Sequence, residues 1–267
     1  KIKDIKLEHY IQWRKRIGAL DQRDKTKNGY YKLLKTILNY GTKWHDYNFT
    51  SIYNKMEKFN NPNKPPKEMQ FYTWEEFKQF ISVIDDIKWK ALFEVLFFCG
   101  LRRGELRGLT WDNIDFFNKE LSVVKNVVQE GESGDYIVTT PKTRTSVRTL
   151  PVPKRVMKDL HEVYLQDKKQ YGFSEKWYVF GDKEPLSANI LRHHKNDYTK
   201  LAGVKQIRIH DFRHSCASLL IYKGASINMV SKFLGHSKIE ETLNTYTHLY
   251  SNAFSDITNL IDEMNES

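Results

Sequence analysis

Between residues 24 and 46 the apolar positions recur every three to four places. At about 100° per residue Tyr30, Leu34, Ile37, Gly41 and Trp44 share one face, and Lys25, Lys32 and Lys43 share the opposite one. This predicts an amphipathic helix that packs on one side and is basic on the other. Residues 7–17, with Leu7, Tyr10, Ile11, Arg14 and Ile17 at helical spacing, predict a shorter helix before it, and residues 48–60 another after it. Together they make a small helical bundle over residues 1–60. Asn60-Asn61-Pro62-Asn63-Lys64-Pro65-Pro66 sets three prolines among polar residues, which stops any helix and reads as an extended linker over 61–70. A second domain is then expected over 71–267. It opens with Thr73-Trp74-Glu75-Glu76, a capping box, and the apolar stretch 89–99 is long enough for a buried helix.

From residue 120 to 150 the pattern changes to β-branched runs, Leu121-Ser122-Val123-Val124, Tyr136-Ile137-Val138-Thr139-Thr140 and Ser146-Val147-Arg148-Thr149-Leu150. Turns at 131–134 and 141–145 would join them into one three-stranded antiparallel sheet with Lys142 at a hairpin tip. After Pro153 helical periodicity returns and continues to the end, where Phe254, Ile257, Leu260, Ile261 and Met264 mark an apolar face in a tail over 251–267. The expected fold is therefore mainly α with a small antiparallel β-sheet, an α+β arrangement behind an N-terminal helical bundle.

Charge sharpens this picture. Of the 43 Lys and Arg, residues 1–67 hold 16 against 6 Asp and Glu, so the whole surplus of +10 lies in the first quarter and the remainder is neutral. A basic segment of this size favours a polyanion such as the phosphate backbone of DNA, although a solvated basic face has the same composition. Lys25, Lys32 and Lys43 are the candidate DNA-binding residues. The two cysteines, Cys99 and Cys216, have no Cys-x-x-Cys spacing, which suits a reducing cytoplasm and argues against a disulfide scaffold. The longest apolar run is too short to span a bilayer, and neither a signal peptide nor a membrane partner is expected. The first residue is Lys1 rather than Met, so the chain is expected to be a piece of a longer protein.

Six residues in the later two thirds match, in type and order, what cutting and rejoining a phosphodiester without a metal requires: Arg102, Lys142, His210, Arg213, His236 and Tyr246. Arginines clamp non-bridging oxygens, a lysine protonates a leaving oxygen, histidines hold or move protons and a tyrosine attacks phosphorus. Each alone has an ordinary structural reading. A lone arginine is most often structural, a hairpin lysine is most often solvated, and Tyr246 is one of 15 tyrosines. Glu105, one turn after Arg102, would either fix that guanidinium or form a plain surface ion pair. His210 and Arg213 are spaced to share a helical face. His210 and His214 have i, i+4 spacing, yet no Glu follows as in His-Glu-x-x-His, so no metal is expected.

The settings Gly100-Leu101-Arg102-Arg103-Gly104-Glu105, Pro141-Lys142-Thr143, His210-Asp211-Phe212-Arg213-His214, Leu234-Gly235-His236-Ser237 and Thr245-Tyr246-Thr247-His248 resemble, in this order, the tyrosine recombinase (phage integrase) family. The resemblance covers about residues 71–250 as a catalytic domain and, more weakly, residues 1–60 as a core-binding domain, as in phage or mobile-element integrases. It implies that Tyr246 is the nucleophile, forming a 3′-phosphotyrosine and freeing a 5′-hydroxyl, with Lys142 as general acid on that leaving oxygen. Arg102 and Arg213 would hold the phosphate, His210 would act as acid or base near Tyr246 and the phosphate, His236 would hydrogen-bond the phosphate, and Glu105 would support Arg102. It further implies no cofactor, neither ATP nor metal, and a bacterial, DNA-associated protein that integrates or excises a mobile element. The partners implied are double-stranded attachment sites, a homotetramer assembled on DNA through the C-terminal tail, and accessory DNA-bending or excision proteins. A type IB topoisomerase-like strand-passage enzyme would use the same chemistry, and a non-catalytic DNA-binding regulator would need only the basic bundle.

Overall fold

A computed structural model describes residues 1–60, 69–129, 136–140, 147–235 and 239–246. The chain divides into two compact units, Lys1–Glu68 and Met69–Ser267. Residues 61–68 of the expected linker, the hairpin tip with Lys142, His236 and the tail 251–267 lie outside the described residues.

In the first unit, α1 (Leu7–Ala19) and α2 (Asp24–His45) pack with the single turn α3 (Thr50–Tyr53) around Tyr10, Leu38, Phe49 and Ile52. The packing face of α2 is rotated from the expected one. Lys27, Tyr31, Leu38 and Gly41 are buried, whereas Tyr30 is exposed and Trp44 is 65% exposed. Both stripes fit a helical period and both run through Leu34 and Gly41. A contact on the second stripe alone is that of Lys27, whose Nζ donates to the Gly18 carbonyl at 2.7 Å, while at the shared Gly41 an added Cβ would lie 3.0 Å from the Phe49 ring. Lys25, Lys32 and Lys43 are exposed, as the pattern requires.

Residues 48–60 do not form the expected helix beyond Thr50–Tyr53. Their backbone groups are taken by side chains of the other helices instead. Tyr10 donates to the Lys55 carbonyl, Arg14 to that of Glu57, and the Asn28 amide both donates to the Phe59 carbonyl at 2.9 Å and accepts from its N–H at 2.8 Å. An extended strap satisfied in this way has no need of intrahelical bonds.

The second unit is mainly α with small antiparallel sheets. Thr73 Oγ1 accepts from Glu76 N and Glu76 Oε2 accepts from Thr73 N, so the capping box starts α4 (Trp74–Ser82). The apolar stretch forms α5 (Ile87–Cys99), buried on nearly all sides, with α7 (Lys154–Asp167) and α9 (Asp211–Tyr222) packed against it. Between α5 and α7 come α6 (Arg103–Arg107) and, among the described residues, five strands. These are β1 (Ile114–Asp115), β2 (Glu120–Val123), β3 (Asn126–Gln129), β4 (Tyr136–Thr139) and β5 (Arg148–Pro151). After α7 follow α8 (Ala188–Ala202), then α9, α10 (Ile227–Leu234) and α11 (Ile239–Tyr246). None of the described helices is long and apolar enough to cross a membrane.

Among the described residues the strands make two sheets rather than the expected one. β2 pairs antiparallel with both β1 and β5, with Leu121 opposite Ile114 and Leu150, while β3 pairs antiparallel with β4, with Val127 opposite Val138. The run from Leu121 onward is interrupted at Val124 and Lys125, which lie outside any strand. Asn126 to Gln129 thereby becomes a separate strand and takes β4 as its partner. Gly104 lets α6 sit directly on β3, since a Cβ there would meet the Asn126 side chain and lie 2.8 Å from the Val127 carbonyl.

The core of the second unit centres on an aromatic stack. Phe80 is fully buried and meets Tyr72, Phe77, Phe93 and Phe212 with ring centroids 5.0–6.4 Å apart. It thus ties α4, α5 and α9 together, and α9 carries His210 at its start. Phe80→Ala is expected to destabilise the second unit by about 3–5 kcal/mol, read as a lowered urea midpoint with an unchanged slope.

Candidate active site

The site is built on the end of one helix. α10 finishes at Gly235, whose φ of 68° is the left-handed conformation that glycine accepts readily. Its last carbonyls point out of the helix without intrahelical partners. Three arginines from three other elements take three consecutive ones. Arg148 Nε donates to the Phe233 carbonyl at 3.1 Å, Arg213 Nη2 to that of Leu234 at 2.6 Å, and Arg102 Nη2 to that of Gly235 at 3.2 Å. The negative end of the helix dipole faces all three cations.

Glu105 supplies the second anchor. Arg102 is the N-cap of α6, where its N–H donates to Glu105 Oε2 at 2.9 Å and its Nη1 to Oε1 at 2.8 Å. Arg148, the first residue of β5, donates Nη1 and Nη2 to the two oxygens at 3.2 and 3.0 Å. Glu105 is therefore no surface ion pair, because it is buried and clamps two guanidinia. Burial acts to raise its pKa, but the Arg148 hydrogen bonds and charge, with the Arg102 N–H, outweigh it and hold the carboxyl at about 2.

Arg213 sits one helical turn into α9 and is 2% exposed. Among the described residues its hydrogen-bond partners are two backbone carbonyls, Leu234 and Gly100, the latter reached by Nη1 at 2.8 Å. Burial, then the neighbouring Arg102 charge, pushes this guanidinium down to about 9. It stays charged at neutral pH, and an arriving anion would relieve the strain on it. Gly100 also has a positive φ of 60°, and a Cβ there would lie 2.5 Å from Leu234 and 3.1 Å from Cys216. The Gly100 of the motif is thus needed for the backbone to approach α9 and α10.

His210 caps the start of α9 and lines an open cleft of about 730 Å³ with Arg102, Arg103, Arg192, Lys195, Asn126 and Arg208. Burial first, then the His214 and Arg213 charges, lowers its pKa to about 4, so it is neutral at pH 7. Tyr246 ends α11 and is 1% exposed, packed against Cys216, Ala217, Val230 and Leu234. Burial pushes its phenol well above the ordinary value, against the opposing Arg213 charge. Its hydroxyl is 2.6 Å from His214 Nδ1.

Of the six residues picked out in the sequence, Arg102, Arg213, His210 and Tyr246 converge on the ends of α9, α10 and α11; Lys142 and His236 lie outside the described residues. Arg148 and His214 are additions from the structure. Arg148 could have been suspected as an arginine inside a β-branched run, and His214 from its place one residue after Arg213. Lys25, Lys32 and Lys43 belong to the other unit.

The Glu105 pair sets a pH dependence. Its folded pKa lies below the ordinary 4.5, so the stabilisation is fully present above that value and fades as pH falls toward about 2. Glu105→Gln is expected to cost about 3 kcal/mol at pH 7 and roughly half as much at pH 3, by urea denaturation of both proteins.

The Phage integrase family model matches residues 70–253. The chain is 33% identical over 206 residues to the ICEBs1 integrase of Bacillus subtilis, covering 74% of this chain and 55% of that protein. It is 32% identical over 294 residues to a XerC-like tyrosine recombinase of Caldanaerobacter subterraneus, covering 99% of this chain and 71% of that one. In fold it is similar to the Tn1549 transposon integrase solved in complex with transposon right end DNA, with a TM-score of 0.73, 23% identity, and 98% and 87% of the two chains covered. It is also similar to the XerH site-specific recombinase bound to difH, with a TM-score of 0.68, 19% identity, and 97% and 73% covered. The chain thus spans little more than half of the Bacillus integrase but most of the XerC-like protein, and with the family model extending over the whole of α4 to α11 it belongs to the phage integrase family.

Proposed function

We propose that this chain is a site-specific DNA recombinase that cleaves and rejoins DNA through Tyr246 to integrate or excise a mobile element. The observation that carries this reading is the arrangement around the end of α10. Arg102 and Arg213 hang from adjacent carbonyls, and Tyr246 touches the same helix that bears Arg213. A guanidinium has five N–H donors, and each of these two gives two to its described protein partners, which leaves donors for phosphate oxygens. Cations fixed before the substrate arrives need no reorganisation as charge develops on the pentacovalent phosphorus. The integrases and tyrosine recombinases among its relatives support the same chemistry.

In the proposed step the Tyr246 oxygen forms a bond to phosphorus and the bond to the 5′ oxygen breaks, with Lys142 delivering a proton to that leaving oxygen. Rejoining runs in reverse, and because the phosphotyrosine keeps the energy of the broken bond, neither ATP nor metal is needed. Arg102 and Arg213 hold the non-bridging oxygens. His210, which lines the cleft beside Arg102, assists as acid or base near Tyr246 and the phosphate, His236 hydrogen-bonds the phosphate, and Glu105 holds Arg102 in place. The exposed Lys25, Lys32 and Lys43 of the basic bundle contact the duplex, and the tail 251–267 joins protomers into a tetramer on DNA.

The test begins by sequencing the junctions made in cells, which gives the site to place in a nicked duplex. Tyr246→Phe should bind this duplex as wild type does but form no denaturant-resistant adduct. A persistent adduct would sink the assignment, and loss of wild-type adduct in excess EDTA would contradict a metal-free mechanism. Strand exchange between two duplexes is expected, whereas supercoil relaxation without exchange would favour a topoisomerase. For the basic bundle, replacing Lys25, Lys32 and Lys43 with Ala should lower affinity and flatten the log-log salt slope by about 0.9 per lost phosphate contact. An unchanged slope would leave that face merely solvated.

A further inference from the structure

We infer that His214 is a further catalytic residue, the group that takes the hydroxyl proton of Tyr246 as its oxygen bonds to phosphorus. The inference rests on the proposed function and adds to it the fate of one proton. His214 Nδ1 lies 2.6 Å from the Tyr246 hydroxyl, hydrogen-bonding distance to the atom that must attack. The two rings are tilted by 57° with centroids 5.8 Å apart, so they meet through the nitrogen and not by stacking. Among the described residues the Tyr246 hydroxyl shares its hydrogen bond with His214 and not with His210, whose ring stands 5.1 Å from that of His214 and faces the cleft with Arg102.

The proton has to go somewhere. A phenol of ordinary pKa is ionised to only about one part in a thousand at pH 7, and burial reduces that further for Tyr246. Burial also favours the neutral imidazole of His214, and with its hydrogen on Nε2 the Nδ1 lone pair faces the hydroxyl. As the oxygen–phosphorus bond forms, the proton passes to Nδ1, while the bond to the 5′ oxygen breaks and that oxygen is protonated by Lys142. On rejoining, His214 returns the proton to Tyr246. The groups facing the resulting imidazolium are Asp211, whose charge favours it, Arg208 and Arg213, whose charges oppose it, and the neutral ring of His210.

The position of His214 is well determined. It follows Arg213, which is tied to the Gly100 and Leu234 carbonyls, and Phe212, which is fully buried in the aromatic core. The same turn of α9 therefore holds the phosphate clamp and the proton acceptor in fixed relation.

The experiment measures the rate of adduct formation on the nicked junction duplex. His214→Ala should slow it about 10²–10⁴-fold with DNA affinity and melting temperature preserved. His214→Asn, which keeps an acceptor oxygen near the Nδ1 position but no basic nitrogen, should stay slow; recovery to the wild-type rate would show that His214 only positions the hydroxyl. A fluorinated, more acidic tyrosine at position 246 should restore most of the rate lost in His214→Ala, and no restoration would overturn proton transfer. A bridging 5′ sulfur, which leaves without a proton, should rescue Lys142→Ala but not His214→Ala. Rescue of His214→Ala by sulfur would move it to the leaving group and contradict the inference. If the wild-type adduct forms on a residue other than Tyr246, the proposed function fails; if it forms on Tyr246 at an undiminished rate in His214→Ala, only the role of His214 fails.

Discussion

Three consecutive carbonyls at the end of α10, those of Phe233, Leu234 and Gly235, hold three guanidinia from β5, α9 and the start of α6. The rest of the site depends on this meeting. Helix ends leave acceptors that must find partners, and a buried arginine must find acceptors, so each satisfies the other's requirement. Gly235 provides the left-handed turn that ends the helix, and Gly100 lets the chain after α5 come close enough to supply the second acceptor for Arg213. The remaining guanidinium hydrogens are then fixed in direction before any substrate arrives. Glu105 binds Arg102 and Arg148 into the same frame, and its buried charge offsets part of the repulsion among the three cations.

Around that frame the fold acts as a mount. Phe80 and its aromatic neighbours lock α4, α5 and α9 together, which fixes the turn carrying His210, Arg213 and His214. α11 packs Tyr246 against Cys216, Val230 and Leu234, so the candidate nucleophile rests on both α9 and α10. Its hydroxyl then meets His214 rather than solvent. The proposed chemistry accordingly draws on one small contiguous region although its residues are spread from 102 to 246.

What was legible in the sequence had local physical signals. The capping box at Thr73 and Glu76, the apolar run that became α5, and the period of α2 each specify an element without knowledge of distant contacts. The errors arise where two local solutions are equally good. Two overlapping stripes of α2 share Leu34 and Gly41, and the buried one carries Tyr31, Leu38 and Lys27, whose ammonium is held by the Gly18 carbonyl of another helix, α1. Residues 48–60 lost their helix because Tyr10, Arg14 and Asn28 claim their backbone groups, and no local pattern reveals such partners. Strand pairing failed for the same reason, as β3 hides in a run that looks continuous with β2. The motifs around Arg102, His210, Arg213 and Tyr246 pointed to residues that the fold brings into one region. Arg148 and His214 were not legible, because their importance lies in what they touch across the fold: Glu105 and Phe233 for one, Tyr246 for the other.

In the proposed reaction the end of α10 presets two guanidinia for a phosphorus centre attacked by Tyr246. A structure of the chain on a nicked junction duplex with orthovanadate in place of the scissile phosphate tests it most directly. Vanadium is expected bonded to the Tyr246 oxygen, with equatorial oxygens accepting from Arg102 and Arg213 and both arginines still on the carbonyls of Gly235 and Leu234. Vanadate bonded to another side chain, or bound to Tyr246 with either arginine released from its carbonyl to reach it, would contradict the claim.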